Sequence, residues 1–413
     1  MNRTFGTATF ALVLIPSLAM ARTWHIAAYG PSDAPSVQAG IDSAAAGDTV
    51  LVGIGTYFET INFKGKNIVV KSAEGPEQTF LNGSGKAGRV VSFVSGEGRS
   101  ALLEGFTITA GQGGIIILNS EPTLTENKIT GNSGAQDGGG VWCGGVITEE
   151  WSPLIENNVI TDNIAQSLAG GVGADIMKCE VLNNRIERNE ATNGDGGGIY
   201  YRSIYPGAKF TGNIIDSNVA GDHGGGIYVG RFGDGVLDLE VANNLVLNNH
   251  AKGQAMTGES GGGIWLWETN AWVHHNTVVG NWGEGPNNAY GGGIVIEQLG
   301  SPIIEQNIIA FSATGGGVWC GGGASPTIRN NLAWQNSGGD GVQDCQTWWQ
   351  SNGNIVDNPY FCDMAGGDFR VAENSGVITH PAGPLGAFPI PGCGPVSILP
   401  STWGSLKAKY GDH

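Results

Sequence analysis

Acidic and basic residues recur at fixed distances from a glycine triplet, and any chemistry in this chain would have to come from them. Asp137 and Asp195 directly precede Gly138 and Gly196, His223 precedes Gly224 with Asp222 one residue further back, and Glu259 lies two residues before Gly261. Beyond the strand that follows each triplet stand Arg202, Arg231, Glu268 and Glu297. If successive copies stack as neighbouring strands, carboxylates one copy apart lie about 5 Å from each other and two copies apart about 10 Å. The first spacing suits calcium ligation by Asp195, Asp222 and Glu259, or the paired carboxylates of a retaining glycosidase; the second suits an inverting pair. Like charges at such range raise one of the two pKa values, which a general acid needs. On this reading Asp195, Asp222, His223, Arg202 and Arg231 are the catalytic candidates. The plainer reading is that Asp before Gly is ordinary turn chemistry.

A second set of candidates is aromatic. The second residue after each triplet reads Trp142, Tyr200, Tyr228, Trp265, Val295 and Trp319, while the first and third positions are mostly apolar (Ile199 and Tyr201, Ile227 and Val229, Ile264 and Leu266). Strand alternation sends the first and third inward and the second outward. Tyr200, Tyr228, Trp265 and Trp267 then form an exposed aromatic row able to hold sugar rings. The competing reading is an aromatic ladder that stabilises the sheet, or a face covered by a loop.

What positions these residues is a repeat. The triplet strand occurs as GGGVW at Gly138, GGGIY at Gly196 and Gly224, GGGIW at Gly261, GGGIV at Gly291 and GGGVW at Gly315, with a degenerate copy at Ala169–Val172. In step with it runs Asn-x-aliphatic-x-x-Asn, beginning at Asn127, Asn158, Asn184, Asn213, Asn244 and Asn276, with worn copies at Asn307 and Asn331. A period of this length signals a solenoid. Each unit is cut into apolar runs too short for helices, punctuated by Gly and Asn, which tolerate left-handed backbone at corners. The expected fold is all-β: one right-handed parallel β-helix of three-strand rungs, about nine to twelve of them and about 45–60 Å long. Equivalent corner Asn residues should stack as a hydrogen-bonded ladder.

The pattern resembles the right-handed parallel β-helix repeat proteins of the pectin-lyase-like superfamily. The likeness rests on the GGG[IV][YW] strands, on the Ser-Pro corners at Ser152, Ser301 and Ser325, and on the Asn-x-[IV] corners. The opening Ser36–Val52 with Gly55-Thr-Tyr57 matches too, and the whole covers roughly Pro35 to Phe369. The superfamily holds lyases, hydrolases, epimerases and non-catalytic surface proteins. The resemblance implies calcium held by carboxylates such as Asp195 and Asp222 against an acidic sugar, with Arg202 or Arg231 as base. The N-T-D, D-D, G-H-G and R-I-K motifs of polygalacturonases and the D-P-H-D motif of alginate epimerases are absent from the sequence. Two functions stay open: binding, with or without processing, of a polysaccharide or cell-surface glycan by a lyase or glycoside hydrolase, or a non-catalytic structural or adhesive surface protein.

The remainder of the chain frames the repeat. Residues 1–21 read as a bacterial-type secretory signal, with Arg3, an apolar stretch from Phe10 and Ala19-Met20-Ala21 before the cut. The mature chain is then secreted, extracellular or at the cell surface, and carries no spanning helix. A net charge of −17, one unit more negative without Arg3, argues against nucleic acid and anionic membranes and permits cations. Residues 22–60 should hold an N-terminal cap with a helix over Ser36–Ala46 and the first strands, residues 61–369 the β-helix, and residues 370–413 a C-terminal coat and tail. The Pro- and Gly-rich stretch from Pro381 to Pro400 should cover the last rung. The tail from Trp403 to Tyr410 is either a sorting tag or a helix packed on that rung. Six cysteines suit an oxidising compartment. Cys143 and Cys320 occupy equivalent positions about 29 Å apart, too far to bridge. The expected bridges are Cys143–Cys179, Cys320–Cys345 and Cys362–Cys393, the alternative for the repeat pairs being buried free thiols.

Overall fold

The computed structural model describes residues 20–146, 151–232, 237–254, 260–284, 290–349, 352–387 and 391–394. Nearly all of the expected leader, Glu259 and the tail from Trp403 lie outside the described residues. The chain coils into three long parallel sheets of 12, 12 and 11 strands. Sheet I runs from Thr23–Ile26 to Thr327–Arg329, sheet II from Gly55–Tyr57 to Ile355–Val356, and sheet III from Ile61–Asn62 to Gly341–Gln343. In the central rungs the path is sheet I, sheet II, a two- or three-residue strand in a six-strand ladder (Ser133–Ala135 to Trp282–Gly283), then sheet III. Equivalent repeat residues pair across rungs, as Ile199 with Ile227 and Ile227 with Ile264. The all-β parallel β-helix expected from the repeat is therefore the fold.

The interior is built from the inward positions. Ile199, Ile227, Ile264 and Ile294, with Tyr201, Val229, Leu266 and Ile296, are all buried in one continuous core. Two asparagine ladders run beside it. In the first, each backbone N–H and each Nδ2 from Asn127 to Asn331 donates to the Oδ1 of the next rung, as Asn213 N to Asn244 Oδ1 at 2.9 Å and Asn213 Nδ2 to the same atom at 3.0 Å. The second ladder joins Asn132, Asn163, Asn189, Asn218, Asn249 and Asn281. The left-handed residue at each corner is not the ladder Asn but the one before it: Asn157, Asn183 and Asn243 have φ of 56°, 55° and 55°. The ladder side chain is thus chosen for its hydrogen bonds, and its neighbour for its backbone.

The glycine triplet has a steric cause. After the short ladder the chain turns back, and the triplet docks against the short strand and the triplet of the next rung. A Cβ on Gly197 would stand 2.5 Å from Gly225 O and Val219 C; one on Gly198 would stand 2.6 Å from Gly226 O. Gly196, at φ 71°, turns back over Tyr200, whose Cβ would be 2.6 Å from its own. Backbone meets backbone here, and no side chain fits. The short strands facing the triplet contribute the small buried residues Ala165, Ala191, Ala220 and Ala251.

Both ends are closed. Helix α1, Val37–Ser43, is capped by Ser36, whose hydroxyl accepts from Ala39 N, and it buries Val37, Gly40 and Ile41. Lys66 Nζ donates to the carbonyls of Ile41, Asp42 and Ala44 at its end. At the other end helix α2, Cys345–Trp349, is tied to the last rungs by Cys320–Cys345 and buries Trp349. The second disulfide, Cys362–Cys393, also forms. The third expected bridge does not. Cys143 and Cys179 are free and fully buried, and a hydrogen bond from Cys179 together with burial pushes the Cys143 thiol well up. A thiol held protonated and away from solvent is a poor partner for exchange. In the described part of the C-terminal stretch, Phe369, Val371, Val377 and Leu385 lie along the outer side of sheet II, against Leu247, Val279, Ile308 and Leu332. Ala387 N there donates to Thr277 Oγ1, 110 positions away.

Candidate functional site

The turns before the glycine triplets bring Asp195, Asp222 and His223 together at one rim of sheet III. Each presents one ligating atom, and the three atoms all lie within 4.8 Å of one another. His223 Nδ1 is 2.8 Å from Asp195 Oδ1 and 3.4 Å from Asp222 Oδ2. Asp195 Oδ1 also accepts the backbone N–H of His223 at 3.1 Å. The three side chains are 17–20 % exposed, so the cluster is sheltered yet open to solvent on one side. Burial pulls the imidazole pKa down, but the bond to Asp195 and the charges of Asp195, Asp222 and Glu297 outweigh it, and the net shift is upward. The imidazole ring leans on Trp265, centroids 4.3 Å apart, with Nε2 buried and unbonded.

As cation ligands these residues supply two carboxylate oxygens and one imidazole nitrogen. Zinc and similar divalent ions take that mixture. Calcium takes six to eight oxygens, and the cluster brings two carboxylates to that count. His223, read from sequence as catalytic, thus belongs beside the two expected metal ligands, while the third, Glu259, lies outside the described residues.

The aromatic row is not the exposed platform that alternation suggested. Its side chains do point out of the coil, but Tyr200 is 3 %, Tyr228 8 % and Trp265 1 % exposed. They form a second apolar cluster outside the coil with Ala169, Val295 and Trp319, joined by Leu168 and Tyr290 from the turns. Tyr200 and Tyr228 stack at 5.2 Å and 7°. The Tyr228 ring lies close over Gly230, where a Cβ would come within 3.0 Å of it. The physical reason is the reversal at the triplets: the same turn that presents Asp195 or His223 folds over the aromatic beneath it. Trp267 stays half-buried and is the one member of the expected set with appreciable exposure. Burial raises the pKa of both tyrosines, so they remain neutral phenols.

The arginines stand at the opposite end of the strand and are engaged. Arg202 holds Asp175 of the preceding rung through Nε and Nη2, both at 3.0 Å, and that bond pushes its pKa up. Arg231 Nη2 donates to Glu268 Oε2 at 2.7 Å. The structure therefore brings Asp195, Asp222 and His223 together over Trp265, and sets Arg202 and Arg231 apart from them beyond the tyrosines. One residue carries no such signal in the sequence: Arg89, half-buried in an early rung without a triplet, donates to the carbonyls of Asp137 and Gly138, and burial lowers its pKa to about 10. No repeat register marks it.

The sequence matches a family described as right handed beta helix region, over residues 86–246 and again over 208–377. No curated protein sequence matches the chain. Among solved structures, the chain is similar to pectate lyase Pel9A, with a TM-score of 0.49, 16 % identity and coverage of 90 % of this chain and 97 % of that one. A pectin methylesterase from carrot gives 0.34, 11 %, 85 % and 91 %. A mutant of the PL6 family alginate lyase AlyGC gives 0.43, 12 %, 92 % and 59 %.

Proposed function

Because the chain belongs to the right-handed β-helix family, we propose that it is a secreted glycan-binding β-helix whose ligand is taken at the rim formed by Asp195, Asp222 and His223. The observation that carries this reading is the convergence of three ligating atoms within 4.8 Å at a solvent-facing rim. Two carboxylates there hold an acidic polysaccharide through a shared divalent cation, or accept hydrogen bonds from sugar hydroxyls directly. Trp267, half-buried and in register with Arg202, stands at the far end of the strand and is not part of this rim. Tyr200, Tyr228 and Trp265 support the rim from beneath rather than touch the ligand.

Binding is favoured over catalysis by the state of the arginines. A base must give up its proton, and the ion pair with Asp175 makes Arg202 hold its proton more tightly. The test is electrophoresis through gels loaded with polygalacturonate or alginate, with and without calcium, zinc or manganese. Wild-type protein should be retarded, and the double variant Asp195→Asn, Asp222→Asn should lose the retardation at least tenfold. Ultraviolet absorbance of an unsaturated product, or new reducing ends, would restore the lyase or hydrolase reading.

A second reading, a structural or adhesive surface protein, is favoured by one parallel. Asp137 Oδ1 accepts Leu168 N one rung on, just as Asp195 Oδ1 accepts His223 N. If no anionic glycan retards the wild type with any of these ions, the acids are turn caps and this second reading holds.

A further inference from the structure

Sheet I carries a different arrangement on its outer face. Trp272 pairs in register with Glu240 on one side and Ile303 on the other, and His274 with Glu305. Trp272 is 44 % exposed, yet it is held firmly. Its Nε1 donates to Glu305 Oε1 at 2.7 Å, and Arg329 Nε grips the other oxygen of that carboxylate at 2.6 Å. One face of the indole lies on the His274 imidazole, centroids 3.8 Å apart and 29° between planes. His274 is itself fixed by Glu240, 3.1 Å from Nε2, and by His275, 2.9 Å from Nδ1. The indole N–H and its neighbours Glu240, His274, Glu305 and Arg329 are each paired, and with one face on His274 the ring still leaves 44 % of the residue exposed.

From this geometry we infer that the outer face of sheet I around Trp272 binds a pyranose unit of an uncharged polysaccharide. An aromatic face offers apolar contact to the C–H surface of a sugar ring. Fixing the indole in advance removes the ordering cost that an exposed side chain otherwise brings to binding. The charge balance selects the class of sugar. Glu305 is matched by Arg329, and Glu240 stands by His274, so the face presents both acceptors and donors without the excess of positive charge that a uronate chain would need. From Glu240 to Arg329 the patch crosses three rung spacings, about 14 Å, room for a short run of sugar residues along the coil. This face is independent of the rim on sheet III.

The test uses the whole protein in affinity electrophoresis through galactomannan, xylan and mixed-linkage β-glucan, with polygalacturonate as the anionic arm. Wild type should be retarded by at least one neutral polymer. Trp272→Ala should weaken that retardation at least tenfold, and Glu240→Gln, which keeps the indole, severalfold; Asp195→Asn with Asp222→Asn should leave it unchanged. Circular dichroism melting separates lost binding from lost folding, and if Trp272→Ala does not fold, Glu240→Gln and Trp272→Phe decide the outcome by the same comparison. The inference is overturned if no neutral polymer retards the wild type, if the folded Trp272 and Glu240 variants bind undiminished, or if the binding is lost with the Asp195 and Asp222 pair instead.

Discussion

At the residue scale, a ladder asparagine does more than its type suggests. Asn213 donates to Val181 O and Asn244 Oδ1 and accepts from both nitrogens of Asn184, all in the dry interior. Asn213→Leu should cost about 3 kcal/mol, since each buried group left unmatched costs about 1–3 kcal/mol; an unchanged denaturation midpoint would refute that. The second ladder has a flaw that makes the converse experiment possible. Where Asn would follow Asn281, the chain has Ser312, 2 % exposed, whose hydroxyl finds no partner while its N–H still donates to Asn336 Oδ1. Ser312→Asn should restore the missing rung and raise stability by about 1 kcal/mol, read as a higher urea midpoint with the same m-value. A titration belongs here as well. Burial, and then the neighbouring His274, lower the pKa of His275, while Glu305 opposes them. A depressed folded pKa means stability present above the unfolded value of 6.5 and lost as pH falls through the folded one. The melting temperature should drop between pH 7 and pH 5, by less in His275→Gln; equal drops in the two proteins would exclude the group.

At the scale of the element, the reversal at the glycine triplet explains both what the sequence disclosed and what it hid. Its three positions answer three separate contacts, so Gly197→Ala should cost about 2 kcal/mol or more, because the obstacle is backbone and cannot step aside. A variant melting with the wild type would show that the docking is looser than described. The repeat, the inward columns and the corner ladders were legible because each is a contact between equivalent residues, repeated in every rung. The resemblance to right-handed β-helix repeat proteins drawn from those same strands holds for that reason. The fate of Tyr200, Tyr228 and Trp265 was not legible. Alternation gives the direction of a side chain relative to its own strand and says nothing of a turn that folds back over it. The pairing of Arg202 with Asp175 was hidden too: it depends on register across a rung of degenerate sequence, where Ala169–Val172 replaces the full motif. From the sequence alone His223 is a catalytic candidate beside two ligands; only the turn's path puts it between them.

At the scale of the molecule, a coil is a sum of rungs, each leaning on its neighbours, and parts laid on its side can come away alone. The segment holding Val371, Val377 and Leu385 lies on sheet II in this way. Leu385→Asp should therefore expose that segment to limited proteolysis while the main melting transition stays in place; loss of the whole transition would show that the segment and the coil fold as one unit. The docking of each triplet against the next rung's short strand has a further consequence for how such a protein can change. Whatever the chain does between leaving the short ladder and re-entering sheet III, it must return to the same narrow seat, and it does so after connections as unequal as residues 166–171 and 252–263. The seat fixes the return, and the excursion is left free. New segments can be grafted rung by rung at those connections without renegotiating the core, which makes the scaffold a modular bench: recognition can be rewritten one loop at a time while the frame beneath keeps its dimensions.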